Sequence, residues 1–469
     1  MGHIYIAAAH KSSGKTSVSI GLTAALARKG RAVQTFKKGP DYIDPLWLTR
    51  AAGRPCYNLD FFTQTHAEII NTFAANLGDA DIGLIEGNKG LFDGVDIKGS
   101  DSNAAMATML GAPVVLVIDI GGMTRGIAPL IRGYLDFDPD VNIAGVILNK
   151  VGGSRHEAKL RGALEHYTDI EVLGAIGRDA ALEIPERHLG LVPANETSDS
   201  GSSDLIITRL ADAISTSVNI DRTIEIANSA RAPAKHENKN RSVPVASHDS
   251  KPDVRIAIAR DAAFGFYYQD DLDAFARAGA KLIPFNTLED TRLPEADGLF
   301  IGGGFPETHL QALSANESLR MDIRKALAAG MPAYAECGGL MYLSRAIEWQ
   351  AEKAEMVGTI ASDVTVGKRP QGRGYMILRD SGNHPWPQPE QAGDNQASDL
   401  HVHEFHYARL KNLETNPVFA HRVLRGTGID GANDGLVVNN LLAGFAHHRS
   451  TKANPWVERF VAYVREKSL

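Results

Sequence analysis

Short apolar runs alternate with segments of helical period through the first half of the chain, and no other feature restricts the fold as much. Residues 4–8, 81–86, 113–119, 143–149 and 171–176 read as buried strands, and residues 16–29 and 103–110 carry helical spacing. Strands that alternate with helices make a parallel sheet covered on both faces, so the fold class is α/β. The second half repeats the style, with strands expected at 255–259, 281–285, 298–302 and 332–335 and helices at 270–278 and 317–329. Between the halves, NSARAPAKHENKNRSVPVASHDSKPD loses apolar periodicity and reads as a linker. The expected organisation is a domain at 1–227, a linker at 228–253 and a second domain at 254–469, with a polar surface insertion at 381–399.

Charge and cysteine content narrow the function. Lys and Arg number 49 and Asp and Glu 56, a formal net charge of −7, which argues against a nucleic-acid partner. Cys56 and Cys337 are the two cysteines of 469 residues, so a disulfide framework is excluded and a reducing cytoplasm is the expected compartment. The opening residues lack a basic stretch followed by a long apolar one, and no apolar run is long enough to span a bilayer, so neither a signal peptide nor a membrane partner is expected.

After the first strand comes Ala9-His10-Lys11-Ser12-Ser13-Gly14-Lys15-Thr16, which leads into a helix. A phosphate-binding loop needs curled backbone N–H groups, a lysine for the terminal phosphates, a hydroxyl for Mg²⁺ and a helix N-terminus. Ser12, Ser13, Gly14, Lys15 and Thr16 meet these needs, although Ala9 stands where the pattern has its first glycine. Carboxylates for Mg²⁺–ATP chemistry stand at Asp41, Asp44, Glu86 and Asp93, each near the end of a strand. Glu86 ends an apolar strand, where a carboxylate is costly without a cation. Asp41, Asp44 and Asp93 taken singly also suit turns, since each lies near Gly or Pro.

Ala335-Glu336-Cys337-Gly338-Gly339 sets a cysteine between a strand and a helix, the context of a nucleophile elbow. A thiolate there gains from the helix dipole, and Gly303, Gly304 and Gly338 can offer oxyanion-hole N–H groups. His447, after the apolar run 441–446, is the candidate base. The cluster His401, His403 and His406 reads as solvated or structural histidine ahead of a metal site.

These motifs in this order resemble the glutamine-dependent a,c-diamide synthases that amidate cobyrinate or hydrogenobyrinate. The resemblance rests on 13–16, 36–45, 86–94, 110–119, 143–149 and 186–190 in the first half, and on 302–307, 335–342 and 403–407 in the second. It implies a dethiobiotin-synthetase-like ATP domain with a doubly wound parallel sheet, joined to a flavodoxin-like class I glutamine amidotransferase domain. It implies that Cys337 attacks glutamine with His447 as base, and that Lys15 and Thr16 hold the phosphates and Mg²⁺. Asp41, Asp44, Glu86 and Asp93 would bind Mg²⁺ or orient the substrate carboxylate, and Tyr42 and Ile43 would shape the pocket. The usual third member of the triad is a Glu two residues after the histidine. Arg449 stands there, which leaves that member open.

Asn88-Lys89 stands where the family usually has an apolar pair, and Lys38 adds a second cation before Gly39-Pro40, so amidation of siroheme or nickel sirohydrochlorin is the alternative. A partitioning-type regulatory ATPase fits less well: its extra lysine would stand at position 10, which is His10. A non-catalytic scaffold conflicts with the presence of Lys15, Thr16 and Cys337. The expected partners are small molecules (the macrocycle, ATP and glutamine), with a homodimer as the candidate assembly.

Overall fold

A computed structural model describes residues 2–179, 182–187, 190–196, 201–233, 252–386 and 399–468. The chain forms two compact units, Met1–Asn240 and Arg241–Leu469. His188 and Leu189 of the 186–190 motif, residues 234–251 of the expected linker and 387–398 of the expected insertion lie outside the described residues.

The first unit runs β1 (Gly2–Ala8), α1 (Lys15–Arg28), β2 (Val33–Lys38), α2 (Ile43–Ala52), β3 (Tyr57–Leu59), α3 (His66–Leu77), β4 (Ile82–Glu86), α4 (Asn103–Leu110), β5 (Val114–Asp119), α5 (Ile127–Phe137), β6 (Ile143–Val151), α6 (Ser154–Tyr167) and β7 (Val172–Gly177). A two-stranded ribbon, β8 (Glu186–Arg187) and β9 (Gly190–Leu191), and helices α7 (Ser202–Ser217) and α8 (Ile220–Asn228) follow. Strands β1 to β7 form one parallel sheet in the order β3-β2-β4-β1-β5-β6-β7. Alternation along β1 shows why the strands are apolar throughout. Tyr5 and Ala7 enter the core on one face, and Ile4 and Ile6 enter the core on the other. Beyond α8 the chain stays tied to this unit, since Arg231 N–H donates to the Gly111 carbonyl at 2.9 Å.

The second unit runs β10 (Val254–Ala259), β11 (Phe264–Phe266), α9 (Gln269–Arg277), β12 (Ala280–Phe285), β13 (Gly298–Ile301), β14 (Gly303–Gly304), α10 (Leu310–Ala315), α11 (Glu317–Ala328), β15 (Ala333–Glu336) and α12 (Gly338–Leu343). It continues with β16 (Ser344–Trp349), β17 (Glu352–Glu355), β18 (Ile360–Val366), β19 (Gly372–Asp380), β20 (Leu400–His406), β21 (Ala408–Lys411), β22 (Phe419–Arg425), β23 (Asn433–Val438), β24 (Leu441–Gly444) and α13 (Trp456–Lys467). The main sheet has the order β12-β10-β13-β15-β24-β23-β22-β19-β20. Its first five strands are parallel. The parallel series expected from sequence is thus extended by an antiparallel half, β23, β22, β19 and β20. Along β20 burial alternates from residue to residue, which suits a sheet whose faces differ in exposure and carries less signal than a continuous apolar run. Among the described residues no helix is long and apolar enough to cross a membrane.

Helices α1 and α7 meet closely because position 21 lacks a side chain. A Cβ at Gly21 would lie 2.6 Å from Ile214 Cγ1 and 2.8 Å from the Leu210 carbonyl oxygen. Gly21→Val is therefore expected to destabilise the first unit by about 1–3 kcal/mol. Faster hydrogen exchange at amides of α1 and α7 would report it. Exchange equal to the wild type would show that the helices yield without cost.

Candidate functional site

Parallel strands direct their carboxyl ends to one edge of a sheet, where open α/β sheets bind ligands. In the first unit that edge receives the loop after β1. Ser12 and Gly14 adopt left-handed backbone, φ 66° and 84°, and Ala9 does not, so alanine is tolerated at that position. A Cβ at Gly14 would lie 2.1 Å from Asn149 Nδ2, which itself donates to the Ser13 carbonyl at 2.9 Å. Glycine at 14 is thus required by both dihedral and space. Ser13 Oγ donates to the His10 carbonyl, closing the loop on itself.

Glu86 is the centre of this edge. Its Oε1 accepts from Lys15 Nζ at 2.8 Å, from Thr16 Oγ1 at 2.8 Å and from Lys37 Nζ at 2.9 Å. Lys37 also bonds Asp44, and Thr16 Oγ1 lies 3.2 Å from Asp44 Oδ2. Burial opposes charge on Glu86, but the two ammonium groups outweigh it and hold the carboxyl at about 2. Burial, reinforced by Asp41, instead pushes Asp44 up to about 7 against the pull of Lys37. Lys37 is itself raised, because Asp44, Glu86 and Asp41 together overcome its desolvation.

The structure therefore brings Lys15, Thr16, Asp44 and Glu86 together. It places the other expected residues around them. Asp41 Oδ1 caps α2 by accepting from the N–H groups of Ile43 and Asp44, and its other oxygen lies 3.9 Å from Lys37. Tyr42 is buried at the start of α2, and Ile43 packs into the cluster beneath that helix. Asp93 accepts from Gly90 N–H at 3.0 Å, as a turn residue does. Lys37 was not singled out by sequence reasoning. The available signal was a lysine at the next-to-last position of strand β2, which the structure leaves 1% exposed.

A Mg²⁺ ion takes one or two carboxylates, a hydroxyl and substrate phosphate oxygens. The donors at this edge match that set, because Glu86 Oε2 is buried without a hydrogen-bond partner beside the Thr16 hydroxyl. Among the described residues no group of three or more His, Cys, Asp or Glu forms a cage, and such an ion needs none.

The second unit assembles a different chemistry at its own carboxyl edge. Cys337 follows β15, and the neighbouring parallel strand β24 pairs Gly444 with Glu336, so His447 emerges beside the cysteine. The Cys337 backbone is strained, with φ 48° and ψ −101°, which turns the thiol sharply off the strand. Its N–H donates to the Gly444 carbonyl at 2.8 Å. Gly303 and Gly304 form β14 on the other side, paired with β11. A Cβ at Gly303 would lie 2.6 Å from His447 Cε1, and one at Gly338 would lie 3.0 Å from Gly304 N. The three glycines thus bring bare backbone against Cys337 and His447. Burial works against a charged His447, but the neighbouring Cys337 thiol and Glu336 carboxyl prevail and raise it to about 10.

His403 closes the far side. It exchanges backbone hydrogen bonds with His447, at 3.3 and 2.7 Å, and burial pushes its imidazole down to about 3. His406 stacks on Phe445 with ring centroids 3.9 Å apart, while His401 is exposed. His403 and His406 therefore brace the His447 segment, and His401 does not. Arg449, two residues past His447, turns away to Asp270 at 2.7 Å.

Comparison with known proteins agrees with both halves. Residues 4–192 match the CobQ/CobB/MinD/ParA nucleotide binding domain, and residues 255–455 match the CobB/CobQ-like glutamine amidotransferase domain. A "Cobyrinate a,c-diamide synthase" of Magnetococcus marinus is 42% identical over 99% of this chain and 97% of its own. One of Methanosarcina acetivorans is 41% identical over 95% and 91%, and one of Archaeoglobus fulgidus 39% over 99% and 98%.

Lys37→Met strips the buried carboxylates of their shared cation, a change that costs about 3–5 kcal/mol where a buried pair loses one partner. The cost is expected to shrink as pH falls through about 7, where Asp44 takes up a proton and sheds its charge. Urea unfolding on either side of that pH measures it, and a loss independent of pH would contradict the assigned network.

Proposed function

The chain belongs to the family of cobyrinate a,c-diamide synthases, and we propose that it amidates the a and c acetate carboxylates of a corrinoid such as cobyrinate, using ATP and glutamine. One observation carries this reading: a nucleotide-binding edge and a cysteine–histidine edge occur in one chain. The names of the relatives support the corrinoid over siroheme.

In this reading Cys337 Sγ attacks the amide carbon of glutamine after its proton passes to His447. The tetrahedral oxyanion faces the backbone of Gly303, Gly304 and Gly338, where donors in a buried site act at low dielectric. His447 returns the proton to the leaving nitrogen, so ammonia departs and a glutamyl thioester remains for water to cleave.

In the ATP unit the substrate carboxylate attacks the γ-phosphoryl group, giving an acyl phosphate and ADP. Ammonia then adds to the acyl carbon and expels phosphate. Ser12, Ser13 and Gly14 wrap the phosphates, and Lys15 leaves Glu86 to reach them. Thr16, Glu86 and Asp44, with Asp41 nearby, would hold Mg²⁺. That ion, when bound, neutralises charge on the transferring phosphoryl group. Lys37, freed from part of its carboxylate contact, remains as a buried cation for the entering acetate. Tyr42, Ile43 and Asp93 border the same edge and set its shape.

Cys337→Ser is expected to abolish glutamine-dependent amidation and to keep amidation from added ammonia. Lys15→Ala is expected to abolish both while hydrolysis of glutamine continues. Product mass and glutamate release measure the two. Glutamine-dependent product from Cys337→Ser would overturn the nucleophile assignment.

A further inference from the structure

The cysteine–histidine pair needs a group that fixes the imidazole and stabilises its charged form. The position two residues past His447 holds Arg449, whose guanidinium pairs with Asp270 and lies over the Tyr268 ring, 5.1 Å from its centroid. A cation there cannot perform the task. The residue before the nucleophile can. Glu336 ends β15, is 4% exposed, and its Oε2 lies 3.4 Å from His447 Nδ1. Its Oε1 accepts from the Tyr334 hydroxyl at 2.6 Å and from His448 N–H at 2.8 Å. The carboxylate is therefore held from two sides and presents its remaining oxygen to the imidazole.

We propose that Glu336 is the positioning residue of the pair, taking the place of the missing acid after the histidine. The proposal rests on the reading of Cys337 and His447 as nucleophile and base. With Nδ1 turned toward Glu336 Oε2 at 3.4 Å, the other ring nitrogen, Nε2, is left to face the thiol. Nε2 takes the thiol proton before Sγ attacks the amide carbon, and the Glu336 carboxylate balances the imidazolium that results. The C–N bond then breaks and the same proton leaves with ammonia.

The surroundings leave Glu336 to do this. His403, 5.8 Å from His447 between ring centroids, and His448 are both held neutral by burial. Tyr334 and Tyr267 are pushed up by burial and remain phenols, and burial likewise raises Asp271, whose Oδ1 accepts from Ser450 N–H. Glu404 is bound by the N–H groups of Thr427 and Gly428, and Asp434 by those of Phe445 and Ala446. Asp270 is taken by Arg449. A sheet register explains the arrangement: Glu336 pairs with Gly444, so the strand end before the elbow lies alongside the segment that carries His447.

The test uses the full-length enzyme and Glu336→Gln, which keeps size and removes charge. Glutamine hydrolysis is expected to fall by about 10²–10⁴-fold, the usual weight of an acid–base contribution. The loss should appear in kcat rather than KM, with ammonia-dependent amidation unchanged as proof of folding. Alkylation of Cys337 by iodoacetamide supplies the readout a structural role would not move. Its pH midpoint is expected to rise in Glu336→Gln and to return partway in Glu336→Asp. Tyr334→Phe, which removes one bond to Oε1, is expected to shift the midpoint less in the same direction. A wild-type pH profile and kcat in Glu336→Gln would overturn the proposal. Should Cys337→Ser retain glutamine hydrolysis, the parent reading fails instead, whatever Glu336→Gln does.

Discussion

Parallel pairing delivers the carboxyl ends of neighbouring strands to one edge, and both chemical centres of this chain depend on it. In the first unit β1, β2 and β4 lie side by side in register, with Lys37 opposite Glu86. In the second, β13, β15 and β24 do the same, with Glu336 opposite Gly444. Residues far apart in sequence become neighbours because each ends a strand of the same sheet. The helices that cover both faces keep water from the strands and leave the edge open.

The charges gathered at the first edge would be prohibitive singly. Glu86 is fully buried, and Lys37 nearly so. Each is tolerated because the other compensates it, with Lys15, Thr16 and Asp44 completing the network. In the proposed function the same network serves nucleotide binding, since the ammonium of Lys15 occupies the carboxylate that a nucleotide-bound cation would take. On that proposal, phosphate binding exchanges one set of charge contacts for another of equal sign. In the second unit the compensation is between His447 and its two neighbours, and neutral histidines and phenols surround the pair.

Much of this was legible in the amino-acid order. Gly14-Lys15-Thr16 after an apolar strand, Glu86 at a strand end and Cys337 before paired glycines are local signals, and each carries its own chemistry. The strands of the first sheet were legible because burial on both faces leaves a continuous apolar run. Strand β3, only three residues long, lacks that signal. The antiparallel half of the second sheet was missed for the same physical reason, as β20 mixes His401, Val402, His403, Glu404 and Phe405 in place of an apolar run. Lys37 and Glu336 were present in the motifs but acquire their meaning only through strand register, which brings each to a partner 49 and 111 residues away. Arg449 shows the converse. It stands where the triad's acid was expected, and its side chain turns to Asp270.

The central claim is that nitrogen from glutamine, freed at Cys337, ends as amide on a corrinoid acetate activated by ATP. Amide-¹⁵N glutamine, unlabelled ammonium, ATP, Mg²⁺ and cobyrinate incubated with the enzyme test it in one mass spectrum. The account predicts a diamide carrying label at both new positions, with formation of ADP. An unlabelled diamide would contradict the role of the second unit, and unaltered cobyrinate beside hydrolysed ATP would contradict the assignment of the substrate.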